Sequence, residues 1–173
     1  AHHPIFLSIV LVLRNQSSQL FDILGDVQEK VADWVSDYEI IVVDNASDDE
    51  SISTLKKLTQ ADGLPNLQVY ARTKEVDVDT ASWVGLECAL GDFVAVYDPF
   101  SEDLDVLPEM LSKAVKGADV VFAKNEARPR RSWSYSMASF IFHGLYRSFN
   151  GIDLAHEAPH YRVLSRVVIN FIL

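Results

Sequence analysis

The stretch Gly91-Asp92-Phe93-Val94-Ala95-Val96-Tyr97-Asp98-Pro99-Phe100-Ser101-Glu102-Asp103 decides the fold class. Gly91-Asp92 is a turn signal. Phe93 to Tyr97 then gives five residues of strong strand preference. The strand breaks into an acidic loop that carries Asp98, Glu102 and Asp103. A short continuous apolar run of this kind suits a strand buried on both faces of a parallel sheet. An acid delivered to its carboxyl end sits where open α/β sheets build binding sites.

Working outward, Ile5–Leu13 is nearly continuous aliphatic sequence broken only by Ser8, a second doubly buried strand. Leu20, Phe21, Leu24, Val27, Val31 and Trp34 recur at helical spacing, and Ser17 or Ser18 is expected to cap that helix. Tyr38–Val43 reads as a strand, Ser51–Leu58 as a helix broken by Gly63-Leu64-Pro65, and Leu67–Ala71 as a strand. Arg72–Asp79 is polar and aperiodic, and a helix is expected from Thr80 to the turn at Gly91. Beyond the opening stretch come a helix over Leu104–Val115, with Asp103 or Asp105 near its start, and a strand over Ala118–Ala123. Strand and helix alternate, which predicts an α/β fold with a mainly parallel sheet covered on both faces. Residues 4–124 form its core. Residues 125–173 are an extension of the same domain, with an amphipathic helix over Ser132–Phe149 and a helix from Ser165. Val167–Leu173 stops within an apolar pattern without a cap, as in a fragment of a longer protein.

Bulk properties narrow the function. A formal net charge of −10 argues against general nucleic-acid binding, which needs a basic footprint. The single cysteine, Cys88, excludes an internal disulfide or a cysteine-rich metal site and reads as core packing. It is consistent with a reducing, cytoplasmic setting. No apolar run approaches the ~20 residues of a membrane span. Ala1-His2-His3 resembles the end of an expression tag and is set aside. Two strands end in acid, Val43-Asp44 and Tyr97-Asp98. Such carboxylates accept hydrogen bonds from a sugar hydroxyl or base N–H, coordinate a divalent cation, or simply cap the next turn.

The order and spacing of these pieces resemble the family 2 glycosyltransferases of the GT-A fold, among them the dolichyl- and polyprenyl-phosphate sugar transferases. The matching segments are Ser8–Asn15, Tyr38–Asp49, Gly85–Val94, Leu107–Leu111 and Tyr161–Arg166, in that order. The resemblance implies that Asp44 contacts a nucleotide base with Asn15, Gln16 and Ser47 nearby. It implies that Asp98, first acid of the family's Asp-x-Asp motif, meets ribose, diphosphate and a Mg²⁺ or Mn²⁺ ion. It sets Arg128, Arg131 and Arg162 near the diphosphate or the acceptor. The expected partners are a nucleotide-sugar donor and a lipid-phosphate acceptor, met by a cytoplasmic, peripheral protein at the inner face of a membrane.

The departures cluster at the site. The second motif acid, the more direct metal ligand in the family, is Phe100. The usual Gly-Lys is Asp77-Val78, the usual Asn of the next helix is Trp83, and a Gly-Asp before the late Phe-Arg is Pro159-His160. Glu102 or Asp103 replaces the missing acid if the loop folds back. His160 serves as a catalytic base if the acceptor is an alcohol, whereas a phosphate acceptor is already ionised and needs none. The basic segment Lys124, Arg128, Arg130, Arg131 and Arg147 suits phosphate and, beside its apolar helix, a membrane surface. The alternative function is a catalytically degenerate GT-A module that binds a nucleotide or a protein partner.

Overall fold

The computed structural model describes residues 2–123 and 159–173. The elements in chain order are β1 (His3–Leu13), α1 (Leu20–Trp34), β2 (Val35–Asp44), α2 (Ser51–Leu58), β3 (Leu67–Ala71), α3 (Val78–Cys88), β4 (Phe93–Val96), a 3-10 turn (Leu104–Val106), α4 (Leu107–Val115), β5 (Val120–Phe122), β6 (Arg162–Ser165) and α5 (Arg166–Ile172). They build a six-stranded sheet in the order β3-β2-β1-β4-β6-β5. β3, β2, β1 and β4 run parallel, and β6 is antiparallel to both of its neighbours, β4 and β5. The expected α/β architecture with helices on both faces is present. The expected amphipathic helix over 132–149 lies outside the described residues.

Strand alternation divides the core. Leu7, Ile9, Leu11, Leu13, Ile40 and Val42 face α1, α2 and α4, where they meet Leu20, Leu24, Leu55 and Leu111. Val10, Ile41, Val94 and Val96 face the other way, onto Leu86 of α3 and Ile169 of α5. The aliphatic runs that looked doubly buried are so: Leu7, Ile9, Val10 and Leu11 have no solvent exposure.

Some local expectations change. α1 begins after Gln19 with no side-chain cap. Ser17 and Ser18 lie ahead of the capping position, and the Ser17 N–H is engaged by Asp49 Oδ2. α3 starts at Val78, two residues before Thr80, because Asp77 caps it and accepts from the Thr80 N–H and hydroxyl. α4 is preceded by the 3-10 turn, which Asp103 caps, and Gly117 closes it at φ +112°, a conformation glycine takes without strain. β6 was not foreseen. Its four residues are too few to show a period, and only its place between β4 and β5 makes it a strand. The helix expected from Ser165 is present as α5, with Ser165 both ending β6 and capping it.

The amino edge of the sheet is tied together by buried polar groups. Glu39 Oε1 accepts from the Ser8 hydroxyl at 2.6 Å and the Leu90 N–H at 2.7 Å, and its Oε2 from Gln68 Nε2 at 2.8 Å. Ser8 Oγ in turn accepts from the Gly91 N–H, and Arg166 donates to the Ala89 and Gly91 carbonyls. Asp92 Oδ2 takes the Phe6 N–H. Gly91 is glycine for want of space: a Cβ there would stand 2.6 Å from the Ser8 nitrogen. This network fixes where β4 begins, and so where it delivers Asp98.

Candidate functional site

The carboxyl edge gathers the predicted residues. β1 and β2 are paired through Leu13 and Asp44, so the loops that follow them emerge side by side and brace each other. The Asn15 N–H donates to Ser47 Oγ, and the Asp48 N–H to Asn15 Oδ1, each at 2.9 Å. The Gln16 N–H donates to Ser51 Oγ. Asp44 is fully buried. Its Oδ1 accepts from the Ser47 hydroxyl at 2.5 Å and its Oδ2 from the Ser47 N–H at 3.0 Å. Asn15, Asp44 and Ser47 thus form one hydrogen-bonded cluster, and Gln16 joins a second one with Ser51 and Asp49. Asn15 and Ala46 hold positive φ, 53° and 58°, a conformation that costs a β-carbon-bearing residue such as Ala46 about 1–2 kcal/mol. Asp49, exposed beside them, has its carboxyl lowered to about 2, chiefly by the Ser51 hydroxyl.

Asp98 lies one strand away, after β4, where the Tyr97 N–H still bonds the Val10 carbonyl. Its Oδ1 accepts from the Phe100 N–H at 2.9 Å and its Oδ2 from the Ser101 hydroxyl at 2.7 Å. Its own N–H donates to Glu102 Oε2 at 2.6 Å, and Glu102 Oε1 stands 3.3 Å from His160 Nδ1. A carboxylate on Nδ1 fixes the neutral ring's proton there. The other nitrogen, Nε2, is buried without a partner among the described residues. Arg162 sits opposite Val96 in the β4–β6 register. Its guanidinium is 3.9 Å from Asp79 on α3. Burial lowers its proton affinity, while Asp79 and Glu102 oppose that shift. Below the loop, Tyr97 is pushed up to about 12, mainly by burial.

Asp98, His160 and Arg162 therefore share the β4–β6 side of the edge, and the other described candidates share the β1–β2 side. Arg128 and Arg131 lie outside the described residues, as do Lys124, Arg130 and Arg147. The sequence reading passed over Arg72. Its N–H bonds the Asp44 carbonyl, and its buried Nε has no partner among the described residues. Arg72 directly follows β3, one place beyond Ala71, the partner of Asp44. The strand-end rule that picked out the acids applies to it, but the aperiodic stretch it opens drew no attention to it.

A divalent cation does not fit these side chains as they stand. Position 100 is an exposed phenyl ring. Glu102, considered as a substitute ligand, turns to the Asp98 N–H and His160, while Asp103 caps the next turn through the Asp105 N–H. Among the described residues no three His, Cys, Asp or Glu side chains converge.

Residues 8–173 match the family model for glycosyl transferase family 2. An uncharacterized glycosyltransferase of Synechocystis sp. is 24% identical over 170 residues, covering 96% of this chain and 52% of that protein. The undecaprenyl-phosphate 4-deoxy-4-formamido-L-arabinose transferase of an Enterobacter sp. is 24% identical over 168 residues, covering 96% and 51%. The chain thus spans about half the length of these curated relatives. Among solved structures, a mannosyltransferase of Pyrobaculum calidifontis in complex with GDP-Man and Mn²⁺ superposes with a TM-score of 0.65 at 18% identity, covering 98% of this chain and 47% of that one.

Proposed function

This chain belongs to glycosyl transferase family 2, and from that premise we propose that it moves a sugar from a nucleoside-diphosphate donor onto a polyprenyl phosphate. The observation that carries the reading is the carboxyl edge. There two strands that lead into acids, β2 and β4, flank β1, and a partly buried arginine, Arg162, faces the end of β4. The name of the undecaprenyl-phosphate transferase among the relatives supports the acceptor class, and the arginine-rich segment holding Arg128 and Arg131 suits its phosphate.

In this reading the braced loops of Asn15, Gln16, Asp44 and Ser47 hold the nucleoside. The Asp98 turn lies along the ribose and diphosphate, and Arg128, Arg131 and Arg162 take phosphate oxygens. An acceptor phosphate oxygen attacks the anomeric carbon as the bond to the donor diphosphate breaks, with inversion. The acceptor is already ionised near neutral pH, so no base has to act on it, and His160 is a neighbour of the loop. Charge grows on the leaving diphosphate, where a fixed donor such as Arg162 stabilises the transition state. Losing one such donor costs about 100- to 1000-fold in rate. No helix among the described residues is long and apolar enough to cross a membrane, and attachment to a lipid surface is assigned to the 125–173 extension.

Calorimetric titration with UDP and GDP tests the donor site. Binding of one nucleotide at micromolar to submillimolar concentration, weakened tenfold or more by Asp98→Ala, is the expected result. No binding of either at millimolar concentration would sink the donor reading and return the chain to a module without chemistry.

A further inference from the structure

Among the described residues, each acid near the motif already holds a partner inside the protein. Both Asp98 oxygens close the turn onto Phe100 and Ser101. Both Glu102 oxygens are taken, by the Asp98 N–H and by His160, and the Glu102 side chain is only 14% exposed. Asp103 Oδ1 accepts from the Asp105 N–H, Asp105 Oδ1 lies 3.0 Å from Lys30 Nζ, and Asp79 is 3.9 Å from Arg162. Phe100, at the motif's second place, is 49% exposed and offers no oxygen. Mg²⁺ demands near-octahedral oxygen ligation and gives up its water reluctantly. Its protein ligands are usually one or two carboxylates beside substrate phosphates, and here the first motif acid is turned into its own loop and the second is a phenyl ring. Arg162, by contrast, is a positive charge already in place: its side chain is 14% exposed and leans on Asp79.

We infer that this carboxyl edge binds a nucleoside diphosphate without a divalent cation, and that Arg162 supplies the counter-charge where a GT-A site would otherwise hold the metal. The identity of the ligand rests on the donor reading above. The exclusion of the cation rests on the side chains themselves.

The test has two arms, so that the two ideas fail separately. In the first, UDP and GDP are titrated into the full chain in EDTA and in excess Mn²⁺. The expected outcome is an affinity that agrees within about twofold in the two buffers. Arg162→Ala, or Arg162→Lys if the alanine variant does not fold, should weaken it at least tenfold in both. A tenfold or greater gain with Mn²⁺ overturns the inference and leaves the donor reading standing. The second arm needs no nucleotide: Mn²⁺ alone is titrated and followed by electron paramagnetic resonance. The native chain should leave the free-ion signal intact, and Phe100→Asp should capture the ion. A native Mn²⁺ site that Asp98→Ala abolishes overturns the inference even if no nucleotide binds. A Phe100→Asp variant that captures nothing overturns the role given to position 100.

Discussion

The two edges of the sheet handle polar groups in opposite ways. At the amino edge Glu39 is buried, yet both its oxygens are occupied, by donors from β1, β3 and the turn before β4. Ser8 and Arg166 extend the web to the Gly91 backbone. At the carboxyl edge the acids are satisfied mostly by their own turns, as Asp44 is by Ser47 and Asp98 by Ser101. Among the described residues the buried side-chain atoms without partners are Arg72 Nε, His160 Nε2 and Tyr161 Oη. All three residues stand at the carboxyl edge, at the end of β3 or the entry to antiparallel β6. An orphaned buried polar group costs about 1–3 kcal/mol. Native proteins carry such groups mainly where function requires them. One edge is built for stability, and the other gives some up where ligands are expected.

Gly91→Ala should break the amino edge outright. The added Cβ would lie 2.6 Å and 2.7 Å from Ser8 N and Oγ and 2.8 Å from the Phe93 carbonyl oxygen, and two of those three neighbours are backbone. A loss of about 3 kcal/mol or more is expected, read from urea unfolding. Glu39→Ala comes next. It strands the Ser8 hydroxyl, the Gln68 amide and the Leu90 N–H, and should cost about 2–3 kcal/mol. If either variant loses less than ~1 kcal/mol, the amino edge is not the anchor described above.

The two edges were unequally legible in the sequence. The strands from β1 to β4 and the helices from α1 to α4 announce themselves, because a doubly buried aliphatic run and a helical apolar stripe are local patterns. Asp44 and Asp98 were visible for the same reason, as polar residues that end such runs. What they bond was not. Glu102 reaches His160 across 58 positions, and no local rule couples them. Gly91 reads as a turn residue, but contact with β1 is what excludes a side chain there. β6 is set by its neighbours in the sheet, so its four residues carried no signal of their own.

Tyr161→Phe tests the other edge, and its sign is opposite. The Tyr161 ring packs against Tyr97 with centroids 5.4 Å apart, and its buried hydroxyl has no partner among the described residues. Burial raises that hydroxyl's pKa, so the group stays neutral and merely dehydrated. Removing the oxygen keeps the ring contact and deletes the penalty. A gain of about 1 kcal/mol is expected. A comparable loss would mean that the hydroxyl has a partner in solution, and the contrast between the edges would lose one of its three members.

The smallest effect belongs to Asp49, an exposed acid that braces the β1 and β2 loops. Its carboxyl is lowered from the ordinary 3.8 to about 2, first by the Ser51 hydroxyl, against an opposing effect of desolvation, and further by the Ser51 and Ser17 backbone N–H groups. A folded value below the unfolded one means that the brace stabilises the fold fully above about pH 4 and is lost as pH falls through about 2. Carboxyl-carbon NMR should therefore find the Asp49 inflection near 2, and Ser51→Ala should move it up toward 3.8. Ser51 also receives the Gln16 N–H, so the same variant should loosen the turn after β1 while leaving the Glu39 network untouched. An inflection at the ordinary value in the native chain would mean that the two loops are not braced through Asp49. The nucleoside platform would then rest on the remaining bonds between the loops, among them Asn15–Ser47, Asn15–Asp48 and Arg14–Ala46.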